Sequence, residues 1–376
     1  MLAYYIHIPF CVSKCPYCGF YSTQYDGLIA DRFLTALAIE MKDRVRGLPN
    51  GQTGSLYIGG GTPSTLSLDQ LSRLFDLVDE HLDMAAGAEV TVEANPNTAM
   101  TEKLALLKSR GVTRLSIGAQ SFADPVLAFL GRAHSASDAC AAVRSARTEG
   151  FGNIGIDLMY GVPGQTEQQW QGTLETALSL APEHLSVYSL SLDDGSRLSH
   201  DARSGRVTLP DDDTVACMYH SAAQRLAASG YRHYEISNFC LPGRECRHNS
   251  NYWDRGEYLG FGPGAWSFIG NSRSATIANV SEYIARITNG VSAVEILEVL
   301  DRDQAVSEML LLGLRRTSGI DVEHFGRLFG SVAKEDLRKK IRKLDGSGLF
   351  QIDHSRLSLT MRGFLLSNEA LASIIP

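Results

Sequence analysis

A chain of 376 residues, 44% of them hydrophobic, is long enough to bury a large core and predicts about two or three domains. A net charge of −7 gathers no nucleic acid, seven cysteines are too sparse and too odd in number for a disulfide scaffold, and no apolar run approaches the roughly 20 residues that span a bilayer. With no basic leader or cleavage signal ahead of the first strand, the expected location is the cytoplasm, where thiols stay reduced.

The first apolar run, Ala3 to Ile8, reads as a strand and leads into Cys11, Cys15 and Cys18, spaced C-x3-C-x2-C. Three thiolates fall one short of a closed zinc site, unless Cys240, Cys246 or His248 supplies a fourth from elsewhere. They suit a 4Fe-4S cluster with one iron left open to chelate a small molecule through an amine and a carboxylate. An amphipathic segment, Ala30 to Val45, precedes a strand at Ser55 to Ile58 that runs into Gly59-Gly60-Gly61-Thr62-Pro63. Consecutive glycines remove every side chain from a strand end, so the backbone can approach a ligand closely. The segment lacks the Gly-Lys-Ser/Thr ending of a phosphate loop.

Helical periodicity at Leu68 to Leu82 and Thr101 to Arg110 alternates with strands at Glu89 to Glu93, Arg114 to Ile117, Asn153 to Met159 and Leu185 to Leu190. This alternation predicts an α/β protein built on a partial (β/α)6 TIM-like barrel, with functional residues at the strand C-termini. Glu93, Gln120 and Asp157 lie in or just after those apolar strands, where a polar group is costly unless paired or bound. Arg132 is a charge partner, either in an internal ion pair with Asp157 or through a shared ligand.

Residues 1–195 are therefore expected to form the core barrel, 196–296 an extension carrying the loop His248-Asn249-Ser250-Asn251-Tyr252-Trp253, and 297–376 an accessory domain. In the last, helical stretches at Ala305 to Leu314, Val322 to Phe329 and Lys334 to Leu344 precede strand-like pieces at Leu349 to Ile352 and Leu357 to Leu359 and a final helix from Thr360. That order predicts a mostly helical, winged-helix-like unit, expected to cover the barrel mouth as a lid. Its basic run, Lys334 to Lys343, reads as a solvated helix face.

The cysteine spacing and its flanks resemble the radical S-adenosylmethionine (SAM) superfamily. Tyr5-Ile6-His7-Ile8-Pro9-Phe10-Cys11, the glycine segment, Glu93-Ala94-Asn95-Pro96 and Ile156-Asp157-Leu158-Met159-Tyr160-Gly161-Val162-Pro163-Gly164-Gln165-Thr166 together resemble the oxygen-independent coproporphyrinogen III oxidase family, over almost the whole chain. The resemblance implies a 4Fe-4S cluster on Cys11, Cys15 and Cys18, with Tyr5, Gly60 and Glu93 lining the SAM bound to it. In the oxidase branch the positions matching Tyr17, Gly61, Thr62, Gln120, Arg132 and Asp157 contact a second SAM, and whether this chain holds one or two is open.

Two departures point toward the HemW haem chaperones within that family. The oxidase motif has a fourth cysteine where this chain has Phe20, and only ten residues precede Cys11 where the oxidase has a longer segment. The run His248 to Trp253 resembles the H-N-x-x-Y-W signature of that branch. An imidazole among aromatic rings suits haem ligation by His248, against the alternative of a loop that closes the barrel mouth. Relatives commonly carry His where this chain has Trp266, which cannot ligate iron but can stack on adenine or a tetrapyrrole.

The resemblance thus implies a chaperone that binds haem and passes it to membrane respiratory haem proteins. Its implied partners are a haem acceptor, through which it would meet the membrane transiently, an electron donor and a second copy in a homodimer. The alternative is a radical enzyme acting on a tetrapyrrole, such as a coproporphyrinogen III oxidase.

Overall fold

The computed structural model describes residues 2–46, 53–344, 346–353 and 355–375. Strands β1 (Ala3–Ile8), β2 (Phe10–Cys11), β3 (Thr23–Gln24), β4 (Thr53–Gly60), β5 (Met84–Ala94), β6 (Arg114–Gln120), β7 (Ile154–Tyr160) and β8 (His184–Ser189) alternate with helices such as Gly27–Val45, Leu68–His81, Thr101–Ser109, Ala136–Thr148 and Glu167–Ser179. Four of these five helices start where a side chain satisfies the free backbone amides of the first turn, Thr101–Ser109 being the exception. Asp26 caps the first, and Ser67 with Gln70, Ser135 with Asp138 and Thr166 with Gln169 form reciprocal capping boxes. The central strands are largely buried, and every residue of β6 is.

Strands β1, β4, β5, β6, β7 and β8 are parallel neighbours in that order, which is the expected six-stranded barrel core. The sheet does not stop there. After β9 (Arg232–Glu235) and β10 (Asn238–Cys240) come β11 (Tyr258–Phe261), β12 (Trp266–Ile269), β13 (Ser272–Thr276) and β14 (Val294–Val299). β11 joins the free edge of β1 as a seventh parallel strand and continues through β12 to β14, while β10 and β9 pair antiparallel beyond β8, giving a sheet of twelve strands among the described residues. The segment read as an extension of the barrel therefore lengthens both edges of one sheet, and the boundary expected at 296/297 falls inside β14.

The run His248 to Trp253 is a helix, Arg247–Trp253, and not the expected loop. Its seven residues carry no glycine or proline to break the turn. The C-terminal region follows the expected order. Helix Arg302–Gly313 precedes β15 (Ile320–Asp321), then helix Val322–Lys343, the hairpin β16 (Phe350–Asp353) and β17 (Arg356–Leu359), and two short helices, Met361–Leu365 and Ser367–Ile374. The two helices expected between 322 and 344 are one span interrupted at Gly330, whose φ of 87° lies in the left-handed region that glycine tolerates. The lid expectation is corrected. This region contributes no lining residue to the cavity at the barrel strand ends, because it packs beside β9 and helix Arg247–Trp253, with Thr317 donating to the Tyr234 and His233 carbonyls. Among the described residues no helix is long and apolar enough to cross a membrane.

Candidate functional site

The C-terminal ends of the barrel strands open into a cavity of about 420 Å³. Pairing of β2 with β3 pins the loop between them, and a turn in which the Cys18 amide donates to the Cys15 carbonyl (3.1 Å) brings the cysteines together. Cys11, Cys15 and Cys18 are free, partly buried and all line the cavity. A chain of polar contacts joins two of them. The Cys11 Sγ lies 3.6 Å from the Thr62 hydroxyl, which accepts from Asn95 (2.8 Å), whose amide oxygen accepts from Arg132 (2.6 Å), which also donates to the Cys15 Sγ at 3.6 Å.

The glycine segment serves the close approach that its composition predicts. Gly60 has φ of 111°, and a Cβ there would meet the His7 ring at 2.5 Å, while one on Gly61 would meet the Phe10 carbonyl oxygen at 2.6 Å. The Gly60 amide donates to the Glu93 carboxylate (3.1 Å), as does the Tyr57 hydroxyl (2.7 Å). Burial raises the Glu93 carboxyl to about 7, against the lowering effect of those two bonds. Gly60→Ala is expected to destabilise the protein by about 1–3 kcal/mol, from backbone strain and the clash with His7, as measured by denaturant unfolding.

Asp157 accepts from the Ser116 hydroxyl (3.1 Å), and burial raises its carboxyl as well. It forms no ion pair with Arg132, whose guanidinium is held by Asn95, the Gly118 carbonyl (2.7 Å) and Cys15. Gln120 ends β6 with a left-handed φ of 66°, and its buried Oε1 has no partner among the described residues. Tyr17, Gly61 and Thr62 complete the residues that the sequence directs here.

Two expected residues lie elsewhere. Tyr5 faces a second cavity, with its hydroxyl 3.0 Å from the His7 Nδ1. His248 lines neither cavity. Its Nδ1 is 3.1 Å from the Ser55 hydroxyl and its Nε2 is 2.9 Å from the Tyr252 hydroxyl, and burial first, then Arg114, lowers its imidazole to about 3. An iron ligand needs a free ring nitrogen, and His248 has both engaged. The other proposed fourth zinc ligands are also displaced, since neither Cys240 nor Cys246 lines the cysteine cavity and the Cys246 thiol donates to Glu89 at 3.4 Å.

Sequence reasoning passed over Tyr57, Asn95 and Arg114, all of which line the cavity. Arg114 opens its strand, it is buried, and none of its side-chain nitrogens finds a hydrogen-bond partner among the described residues.

The donors suit the groups that the resemblance implies. Three soft thiols face one cavity beside a strand end stripped of side chains, with a buried carboxylate to meet an amino group and a guanidinium to meet a carboxylate. This fold and this strand end define the radical SAM class. The Radical SAM superfamily pattern matches residues 5–177, and the HemN C-terminal domain pattern matches residues 300–366.

The chain is 37% identical over 377 residues to the heme chaperone HemW of Bacillus subtilis, covering 100% of this chain and 99% of the relative. It is 36% identical over 374 residues to the heme chaperone HemW of Mycobacterium tuberculosis, covering 99% and 94%. The chain belongs to this HemW family. Its structure is also similar to that of coproporphyrinogen III oxidase (HemN) from Escherichia coli, a radical SAM enzyme, with a TM-score of 0.87 at 25% identity over 100% of this chain and 90% of the other.

Proposed function

We propose that the protein is a haem chaperone, which binds haem and delivers it to respiratory haem proteins, and which carries a 4Fe-4S cluster on Cys11, Cys15 and Cys18 with SAM beside it. The observation that carries this reading is identity of about 36% to relatives named heme chaperone HemW along nearly the full length of both chains. Phe20 supports it, because an exposed phenyl group stands where the oxidase branch has a fourth cysteine. A thiolate-held cluster also fits a reducing compartment such as the cytoplasm.

In this reading Glu93 accepts from the SAM amino group, Gly60 and Gly61 let the backbone approach the methionine end, and Arg132 meets a carboxylate while remaining anchored by Asn95. The cluster, when bound, supplies an open iron position and an electron. Tyr17, Gln120 and Asp157 are left to line the rest of the same cavity, where the Gln120 amide oxygen, without a partner among the described residues, is an acceptor in waiting.

Haem titration of the cluster-loaded protein is the test. A saturable Soret shift at a defined stoichiometry is expected, with no protoporphyrinogen formed from coproporphyrinogen III and SAM under anaerobic conditions. Turnover of coproporphyrinogen without haem retention would overturn the proposal in favour of the oxidase.

A further inference from the structure

Beyond the cysteine cavity lies a second one of about 750 Å³, lined from β1, β11, β12, β13, the chain after Cys18 and helix Arg302–Gly313. Its lining is aromatic, with Tyr252, Tyr258, Trp266 and Phe268. The Tyr252 and Tyr258 rings stand edge to face with centroids 4.6 Å apart, and Trp266 leaves 43% of its surface uncovered. Walls of this kind select a large, flat, apolar guest.

The polar groups among them suit anionic arms on that guest. Arg255 and Arg273 are both bonded to one carboxylate, Glu308, so these three groups together keep one positive charge. The two guanidiniums sit 4.7 and 5.9 Å from the Phe268 ring centroid, so charge and apolar surface adjoin. Glu295 is the other carboxylate lining the cavity, and it is exposed.

The two cavities adjoin. Gly19 and Phe20 line both. A row of rings runs from one to the other, with Tyr57 to His248 at 5.2 Å, His248 to Tyr252 at 4.9 Å and Tyr252 to Tyr258. His248 is thus a buried strut that orients Tyr252. Among the described residues lining the second cavity, His7 is the imidazole, and both of its nitrogens are occupied, by the Tyr5 hydroxyl and the Tyr21 carbonyl (2.9 Å).

We infer that this second cavity is the seat of the tetrapyrrole cargo, which is gripped by its faces and its propionates and not by an imidazole on the iron. The inference rests on the haem-chaperone reading and assigns its binding site.

The test titrates the full-length, cluster-loaded protein with haem, metal-free protoporphyrin IX and protoporphyrin IX dimethyl ester. Binding is followed by Soret absorbance and tryptophan quenching, with cluster iron and circular dichroism confirming that each variant is folded. Haem and protoporphyrin IX are expected to bind within about threefold of each other. Trp266→Ala should weaken both about tenfold through the lost stacking surface. Arg273→Gln should weaken the diacid about tenfold and leave the diester unchanged, which a merely structural role would not do.

Unchanged haem affinity in both folded variants would overturn the seat while leaving the chaperone reading intact. Binding of haem without any binding of protoporphyrin IX would overturn the grip by ring and propionates. Failure of the unmodified protein to bind haem would overturn the chaperone reading itself, and the seat with it.

Discussion

Replacing any one of Cys11, Cys15 or Cys18 with serine is expected to reduce cluster iron and acid-labile sulfide to background after anaerobic reconstitution. A four-iron cluster held by three thiolates has no spare protein ligand, and serine offers a hard oxygen to a soft metal. Cys240 and Cys246 are buried away from this cavity and cannot substitute. The three positions are only partly buried, so the metal-free variants should unfold within about 0.5 kcal/mol of the metal-free parent. Cys140→Ser and Cys217→Ser, outside the cavity, should keep the full iron content. Full iron in any of the three cavity variants would remove that thiol from the ligand set.

SAM affinity should rise with pH in a step near 7, and Glu93→Gln should abolish that step while weakening binding by about ten- to a hundredfold. The Glu93 carboxyl is raised to about 7 by burial, so below that pH it is protonated and cannot accept as an anion from the amino group. Glutamine keeps an acceptor for the Tyr57 hydroxyl but carries no charge. For the ligand-free protein the sign reverses. Between the ordinary value of 4.5 and about 7 the folded state retains a proton that the unfolded chain has released, so this group's contribution to stability is present below 4.5 and lost as pH rises through 7. Equilibrium dialysis with labelled SAM across pH 5.5 to 8.5, on parent and variant, checks both parts. A flat profile in the parent would show that the carboxylate does not meet the amino group.

Much of the cysteine cavity was legible because its residues are marked by short-range pattern. Cysteines at C-x3-C-x2-C, glycines at a strand end, and polar residues closing apolar strands are local signals, and the barrel principle carries them to one face. Arg114 was overlooked because it begins its strand, where an arginine ordinarily reads as a solvated end. Tyr5 alternates correctly along β1, but which cavity its ring faces depends on β11 lying beside β1, and β11 is a four-residue strand more than 200 positions away by register.

The aromatic motif shows the same division. Its residue types were plain, and its rings do approach a cavity. The helix Arg247–Trp253 turns Tyr252 toward that cavity and His248 inward, where Ser55, 193 positions earlier, takes one ring nitrogen.

By itself the sequence determined the strand and helix alternation, the six parallel neighbours of the barrel and the three thiols delivered to one strand end, because period, spacing and glycine content act over a few residues. Only the tertiary structure decided that the sheet runs on to twelve strands among the described residues, that both ring nitrogens of His248 are engaged, and that Trp266 and the arginine pair share a second cavity beside the first. Those outcomes depend on which distant groups meet, and burial and hydrogen bonding between distant segments are fixed only when the chain is closed on itself.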